Sequence, residues 1–478
     1  MAKAQLAAGM IIDGFRLEQR IHRGGMASIW RVSRYDIDFP IVMKVPFLDF
    51  EGDLSLLVGF EVEQMIMAEL KGPHVPRFVA NGDFTVLPYI VMEYIAGPTL
   101  LKRRLDTRFS VTEVVEIGTK VATALSDLHQ QQVLHLDLKP ANILFRQSGE
   151  AVLLDFGLSR HLQLPDLLEE QFHRPTGTPD YMAPEQLLRV RSDKRSDVFA
   201  LGAILYELST ESLPFGSPGR MKNVRRRVWQ DPVPPRALRS EVPPALQEII
   251  LRCLEPLPDA RYRSAEDVLF DLRHMDLVEL GERATRTTQQ PFKTKWARRL
   301  RLPVTMREIL ASATQPAPRP PIIVVVVEHA SAPDLRAALL EAAAAALANV
   351  PGARIACVSA MPTSLIAIDE NVDAQGENIH VQRLVELRQW AAPLRLPKGK
   401  ITYHLLESRQ PAAAVLEFAR TNKVDRLVVG ATSGTGRVMA QISAEAPCTV
   451  TVVRVAADHG PQAGRDAVSA RPRGQPLA

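Results

Sequence analysis

Cysteine is nearly absent. The chain has three in 478 residues, Cys253, Cys357 and Cys448, too scattered for a zinc site or a disulfide framework. They read as buried thiols in a reducing compartment. Also missing is any apolar run of the roughly 18 to 20 residues needed to cross a bilayer. The strongest candidate, Ile322 to Val327, is short, β-branched and preceded by prolines, so it reads as a buried strand. The N-terminus MAKAQLAAGM lacks the apolar core of a secretory signal, and a cytoplasmic location is the expectation. Charge of one sign is lacking too, because 58 Lys and Arg face 54 Asp and Glu for a net +4. That balance argues against a nucleic-acid partner, whose binder gathers basic residues in one stripe.

What is present is a globular composition, 46% hydrophobic and 23% charged, on a chain too long for one ordinary domain. From Phe15 to Tyr94 the pattern is strand-like, broken by one helical segment from about Leu56 to Leu70. From Leu100 onward helical periodicity dominates, which predicts a small β-rich lobe followed by a larger helical one. Residues 281–321 carry no long periodic segment, are rich in Arg, Lys, Thr and Pro, and read as a basic, Pro-rich linker. Its run KTKWARRLRL is the kind that stays solvated or docks on acidic lipid or protein. Residues 322–456 alternate continuous apolar strands with helices, predicting a smaller α/β domain with a doubly wound parallel sheet. Residues 457–478 have the composition of a disordered tail.

The chemistry lies in HLDLKPANIL (His135 to Leu144) and in LLDFGLSR, which follows shortly after. Phosphoryl transfer is mainly positioning and electrostatics. It needs a carboxylate to orient a hydroxyl and take its proton, a cation beside the moving group, and oxygen ligands for Mg2+. Asp137, Lys139, Asn142 and Asp155 supply that set in order, with the two carboxylates 18 residues apart, a spacing that suits a loop and hairpin turning back on one cleft.

These residues resemble the eukaryotic-like (Hanks-type) serine/threonine protein kinases; the resemblance covers about residues 12–275, of an expected kinase domain at 12–280. IVMKV looks like the family's third strand, so Lys44 would grip the α- and β-phosphates. Glu63 stands where a helical glutamate pairs with that lysine. VMEYIAG resembles the hinge, with Met92 as gatekeeper and Glu93 to Ile95 offering backbone groups to adenine. GTPDYMAPE resembles the end of the activation segment. Asp197 would anchor the catalytic loop, and Arg261 would pair with Glu185. The resemblance implies a two-lobed α+β protein-kinase fold that uses ATP and Mg2+, with Mn2+ the alternative ion, to phosphorylate protein Ser/Thr hydroxyls. It assigns catalysis to Asp137, Lys139, Lys44 and Glu63, metal binding to Asn142 and Asp155, and nucleotide binding to Ile21, Gly24, Gly25, Ile29, Lys44, Glu93 and Ile95. The LKPAN form, with Lys139, is that of kinases acting on Ser and Thr.

Two positions depart from the pattern. The glycine loop IHRGGMASIW keeps Gly24 but has His22 and Ala27 at the flanking glycine positions. Glycine lets the backbone approach phosphates, so a modest loss of nucleotide affinity is expected. The arginine that usually precedes the catalytic aspartate, and receives an activation-loop phosphate, is Leu136. The activation segment is poor in Ser and Thr, offering Ser159, Thr176 and Thr178, so control through a loop phosphate on that arginine is not expected. A weakly active or inactive nucleotide-sensing scaffold is the rival reading.

The second domain resembles the universal stress protein family on PIIVVVVEHAS, VDRLVVGATSGTG and APCTVTVVR. Glu328 stands where an acidic residue ends the first strand in relatives that bind ATP. The glycine spacing after Gly430 differs from theirs, and the later glycine–hydroxyl pair is missing. A regulatory or dimer-forming module is therefore expected, with CTVTVVRV as a pairing edge.

Overall fold

The structure is a computed structural model. It describes residues 6–25, 27–47, 54–172, 174–217, 224–288, 291–313, 319–329, 331–361, 378–397, 399–431, 436–455 and 468–470.

Six antiparallel strands form the first sheet, in the order Ile11–Ile12, Phe15–Arg23, Ala27–Ser33, Ile41–Pro46, Ile90–Glu93 and Phe78–Asn81. Alternation puts Phe15, Leu17, Trp30, Val32, Ile41, Met43, Tyr89 and Val91 into one apolar cluster and leaves the other face for chemistry. The helix Leu54–Met67 closes that other side. Its Gln64 side chain donates to the carbonyls of Gly82 and Tyr89, at 2.9 and 3.0 Å. Those bonds stitch the helix to the sheet's edge.

The large lobe is built on two helices. Val111–Gln130 begins at a capping box, in which Ser110 Oγ accepts from the Glu113 N–H and the Glu113 carboxylate accepts from the Ser110 N–H. Arg195–Thr210 is buried along nearly its whole length, as a helix apolar all round must be. Between them the hairpin Ile143–Phe145 and Ala151–Leu153 carries the polar motif segments at its ends.

The segment read as a linker is largely helical and packed. Phe292–Leu300 and Leu302–Ser312 are helices, with proline near the start of the second, where its missing N–H costs nothing. Arg298 pairs with Asp231 at 2.7 Å, Arg299 lies over the Trp229 ring, and the Arg195 guanidinium donates to the Ser312 carbonyl. The basic run thus docks on this chain's own large lobe. Its partners lie outside the run, so local periodicity could not show them. The proline-rich residues 314–318 lie outside the described residues.

The second sheet runs Ile401–Glu407, Arg354–Met361, Ile322–Val326, Arg426–Ala431, Thr449–Arg454 and Val468–Ala470. The first five strands are parallel and the last is antiparallel. Ile323 and Val325 pack on one face with Leu335, Leu339 and Leu384. Ile322, Val324 and Val326 pack on the other with Val415, Leu416, Phe418 and Ile442. The sheet is doubly wound, as expected. Of the tail expected to be disordered, only 468–470 lies within the described residues, and it pairs with Thr449–Arg454. The edge expected to be open for a second copy is covered there by the chain itself.

Candidate active site

The catalytic loop is fixed from beneath by one carboxylate. Asp197, fully buried, accepts from the backbone N–H groups of His135 (2.9 Å) and Leu136 (2.8 Å) and bonds the His129 ring at 2.8 Å. Burial alone would raise its pKa. The hydrogen bonds and the nearby His129 and His135 outweigh that and hold it below the usual aspartate value. Leu136 and Asp155 adopt left-handed backbone, with φ of 58° and 65°. Such conformations cost non-glycine residues about 1–3 kcal/mol each, so the loop persists because Asp197, and Gln186 bonding the Leu136 carbonyl at 2.8 Å, over-determine it.

On this platform Asp137 accepts from the Lys139 ammonium (2.6 Å) and from the Thr178 N–H (2.6 Å), while Lys139 also reaches Thr178 Oγ1 at 3.0 Å. Asn142 donates to the Asp137 carbonyl at 3.1 Å, and its own carbonyl accepts from Leu154, the residue before Asp155. The amide and the second carboxylate are thereby held side by side. Oxygen donors in such small number suit Mg2+, which takes one or two protein ligands together with substrate phosphates.

Across the cleft Lys44 pairs with Glu63 at 2.6 Å and reaches Asp155 at 3.4 Å. Burial works against the ammonium, but the two carboxylates outweigh it and raise its pKa above the ordinary lysine value. Lys44 in turn holds Asp155 below the usual aspartate range. Burial raises Glu63, against the pull of Lys44. The three groups form one charged chain linking strand, helix and loop. Gly59 of the same helix lies so close to the Gly157 carbonyl that an added Cβ would meet it at 3.2 Å.

The nucleotide-binding expectations fall on the strands around this chain. Ile29 sits opposite Lys44 in the ladder and opposite His22 on the other side. Gly24 turns between the first two strands of the loop, its N–H bonded to the Ala27 carbonyl at 3.0 Å. The His22 ring rests against Gly24, with Nε2 3.4 Å from where a Cβ would stand. Ile21 is exposed, and Gly25 has open space around it. At the hinge Ile95 packs with Leu144, Val152 and Leu154, an apolar patch on which a planar base would rest. The Glu93 carboxylate is engaged by Arg146, at 2.5 and 2.9 Å, so only its backbone is left to face a base.

The model of the "Protein kinase domain" family matches residues 15–271, more than half of the chain. The chain belongs to the protein kinase family. The "Universal stress protein family" model matches residues 321–454. The kinase domain is 32% identical over 265 residues to the serine/threonine-protein kinase PknB of Mycolicibacterium smegmatis, covering 54% of this chain and 42% of that protein. It is 27% identical over 267 residues to a probable serine/threonine-protein kinase of Clostridium acetobutylicum, covering 56% of this chain and 40% of that one. The chain thus spans less than half the length of these curated relatives. The solved kinase domain of Mycobacterium tuberculosis PknI is 24% identical, covers 56% of this chain and 99% of its own, and has a TM-score of 0.46.

Two parts of the kinase site escaped the motif reading. Leu144 packs with Ile95 of the hinge but sits in the motif as one more strand residue. The other is Arg191, buried beside the activation segment. It bonds Asp166 (3.0 Å), Thr176 Oγ1 (2.8 Å) and the carbonyls of Leu158 and Ser159. An arginine outside the catalytic loop therefore orders the segment against an aspartate of this chain. Nothing in its sequence surroundings marks it.

Proposed function

We propose that the chain is a Mg2+·ATP-dependent serine/threonine protein kinase, working on protein substrates in the cytoplasm, with Mn2+ as the alternative ion. One observation carries the reading: the unbroken chain Lys44–Glu63 and Lys44–Asp155 faces Asp137 with its Lys139 and Thr178 contacts. A scaffold that only senses nucleotide has no need of a carboxylate positioned this way, which weighs against the rival reading.

Lys44 would hold the phosphates of ATP from the strand. Asn142 and Asp155 would hold the divalent ion, which when bound neutralises charge on the phosphate oxygens. Asp137 orients the substrate hydroxyl and takes its proton as the oxygen attacks phosphorus. Its two hydrogen bonds still leave lone pairs for that hydroxyl. Lys139 stands where negative charge builds on the transferred group. Its second contact, to Thr178, ties that role to the activation segment. Lys139 at this position also supports the preference for Ser and Thr over Tyr.

The test is transfer of label from [γ-32P]ATP to a basic protein, with phosphoamino-acid analysis. Asp137→Asn is expected to lower kcat by about 10^2- to 10^4-fold, and Lys44→Met to lower it comparably, with label on Ser or Thr. Equal transfer by wild type and both variants would overturn the reading.

A further inference from the structure

The C-terminal domain grips the kinase at two places that matter for transfer. Glu61 and Glu63 are two residues apart on the helix Leu54–Met67, hence about 200° apart around its axis. Glu63 faces Lys44 while Glu61 faces outward, to Arg388 of the C-terminal helix Ile379–Ala391, at 2.5 Å. The Arg388 guanidinium lies between the Phe84 ring of the small lobe (4.8 Å) and the Tyr403 ring of its own domain (4.7 Å). Burial opposes its charge, but Glu61 keeps it firmly protonated. Stacked and ion-paired at once, it is a planar fork used as a wedge.

The second grip is on the activation segment. Its short helix Leu167–Gln171 packs on the edge strand Ile401–Glu407. There Glu170, 4% exposed, pairs with Arg354 at 2.5 Å and lies 3.3 Å from the His404 ring. Thr402 holds both Arg354 (3.1 Å) and His404 (2.9 Å) in place. Gln171 bonds the Leu405 carbonyl, and Asn422 donates to the Glu170 carbonyl at 3.3 Å. The segment and the helix are also tied to each other, Arg174 donating to Ser55 Oγ at 3.0 Å.

We propose that Arg388 and Arg354 of the C-terminal domain are positioning residues for phosphoryl transfer. The domain clamps the outer face of the Glu63 helix and the middle of the activation segment, so that Glu63 stays on Lys44. This rests on the kinase reading above. The clamp acts in cis, from residues separated from their partners by 184 residues or more. It explains how the helix is held inward without a phosphate-binding arginine before Asp137. Neither arginine touches the nucleotide or the hydroxyl.

The experiment uses the full chain. Arg388→Ala and Arg354→Ala are each expected to lower kcat about tenfold or more, with a smaller change in KM for ATP, because Lys44 and the apolar base patch are untouched. Hydrogen exchange is expected to quicken at residues 54–67 in both variants and to stay unchanged in the helix Val111–Gln130. The exchanged pair Glu61→Arg with Arg388→Glu is expected to recover part of kcat and of the protection. Unchanged kcat and unchanged exchange would overturn the proposal, and so would a rise in kcat, which would make the domain an inhibitor. Should Arg388→Ala fail to fold, Arg388→Lys decides: intermediate exchange at 54–67 supports the clamp, and wild-type exchange overturns it. If wild type itself transfers no phosphate, the kinase reading falls, while the exchange data still decide whether the clamp exists.

Discussion

The catalytic cleft and the seam between the domains are both built on buried charge, but they finish it differently. Beneath the cleft two buried acids are saturated: Asp197 takes three hydrogen bonds, and Glu185 takes two from Arg261, at 2.8 and 2.9 Å, plus one from Ser196. Among the described residues around the catalytic loop, the buried side-chain atoms left without a hydrogen bond are His129 Nδ1, His135 Nδ1 and Arg160 Nε, none of them on an acid. Among the described residues of the seam they are Glu170 Oε2, Arg388 Nε and Nη2, and Asn422 Oδ1, of which Glu170 Oε2 and Arg388 Nη2 make ionic contact without hydrogen-bond geometry. A saturated network is rigid, whereas a half-saturated one is the first place a structure gives. The cleft therefore reads as a fixed platform and the seam as a joint that holds but can part.

The sharpest way to break that comparison is to remove one arginine from each. Arg261 and Glu185 are fully enclosed, so Arg261→Met strands a buried carboxylate and is expected to cost about 3–5 kcal/mol, read from urea unfolding. Arg354→Met leaves Glu170 in the same position on paper, but the seam can open and admit water. Its cost is expected to be about half as large. Equal losses would mean that the two domains unfold as one block and that the seam is no weaker than the core.

Glycines inside the two domains give smaller perturbations of the packing on which cleft and seam rest. A Cβ on Gly202, in the middle of the buried helix Arg195–Thr210, would meet Cys253 Cβ at 2.4 Å. Two packed helices would have to move apart, and Gly202→Ala is expected to cost about 1–3 kcal/mol. On Gly430 the nearest atom is the tip of the Leu335 side chain, at 2.9 Å, and a rotamer change relieves the clash. Gly430→Ala is expected to cost under about 1 kcal/mol. Thermal melts of the two variants check the ranking.

The same contrast governs what could be learned before the structure. Asp137, Lys139, Asn142 and Asp155 sit within one loop and hairpin, so their chemistry shows in a stretch of about 20 residues, a local feature that motifs capture. Lys44 and Glu63, 19 residues apart, were legible only through the resemblance of their strand and helix to those of the kinase family. The doubly wound sheet was legible for a similar reason: continuous β-branched runs have few other uses. The seam was not. Glu170 and Arg354 lie 184 residues apart, and each looks like an ordinary surface charge on its own element. Arg191 was hidden in the same way. The helices at 292–312 were hidden because their anchors, Asp231 and Trp229, lie on another element.

The pH dependence tests the claim that the platform is electrostatic. Asp197 and Asp155 have native pKa values depressed below their ordinary ones. Each therefore adds stability that is complete above the unfolded value, about pH 4, and is lost as pH falls through the native value. The melting temperature of wild type is expected to drop as pH goes from 5 to 3. Asp197→Asn, less stable throughout, is expected to show a shallower drop over the same range. Parallel curves would mean that Asp197 titrates normally and holds the loop by geometry alone.

The smallest effect expected is at the glycine loop, where platform and joint meet the substrate. The His22 ring rests on Gly24, the one residue of the loop whose backbone must come close to phosphate. Replacing His22 by glycine removes the ring and restores the spacing found in other kinases. It also puts a flexible residue in the strand Phe15–Arg23, which costs roughly 0.5–1 kcal/mol of order. A regained backbone hydrogen bond to phosphate contributes about 0.5–1.5 kcal/mol, so the two nearly offset. His22→Gly is expected to lower KM for ATP by about twofold at most, with kcat unchanged, because Lys44, Glu63 and Asp137 are not touched. A tenfold change in kcat would mean instead that the loop is coupled to the Lys44–Glu63 chain, and that the cleft shares the looseness assigned here to the seam.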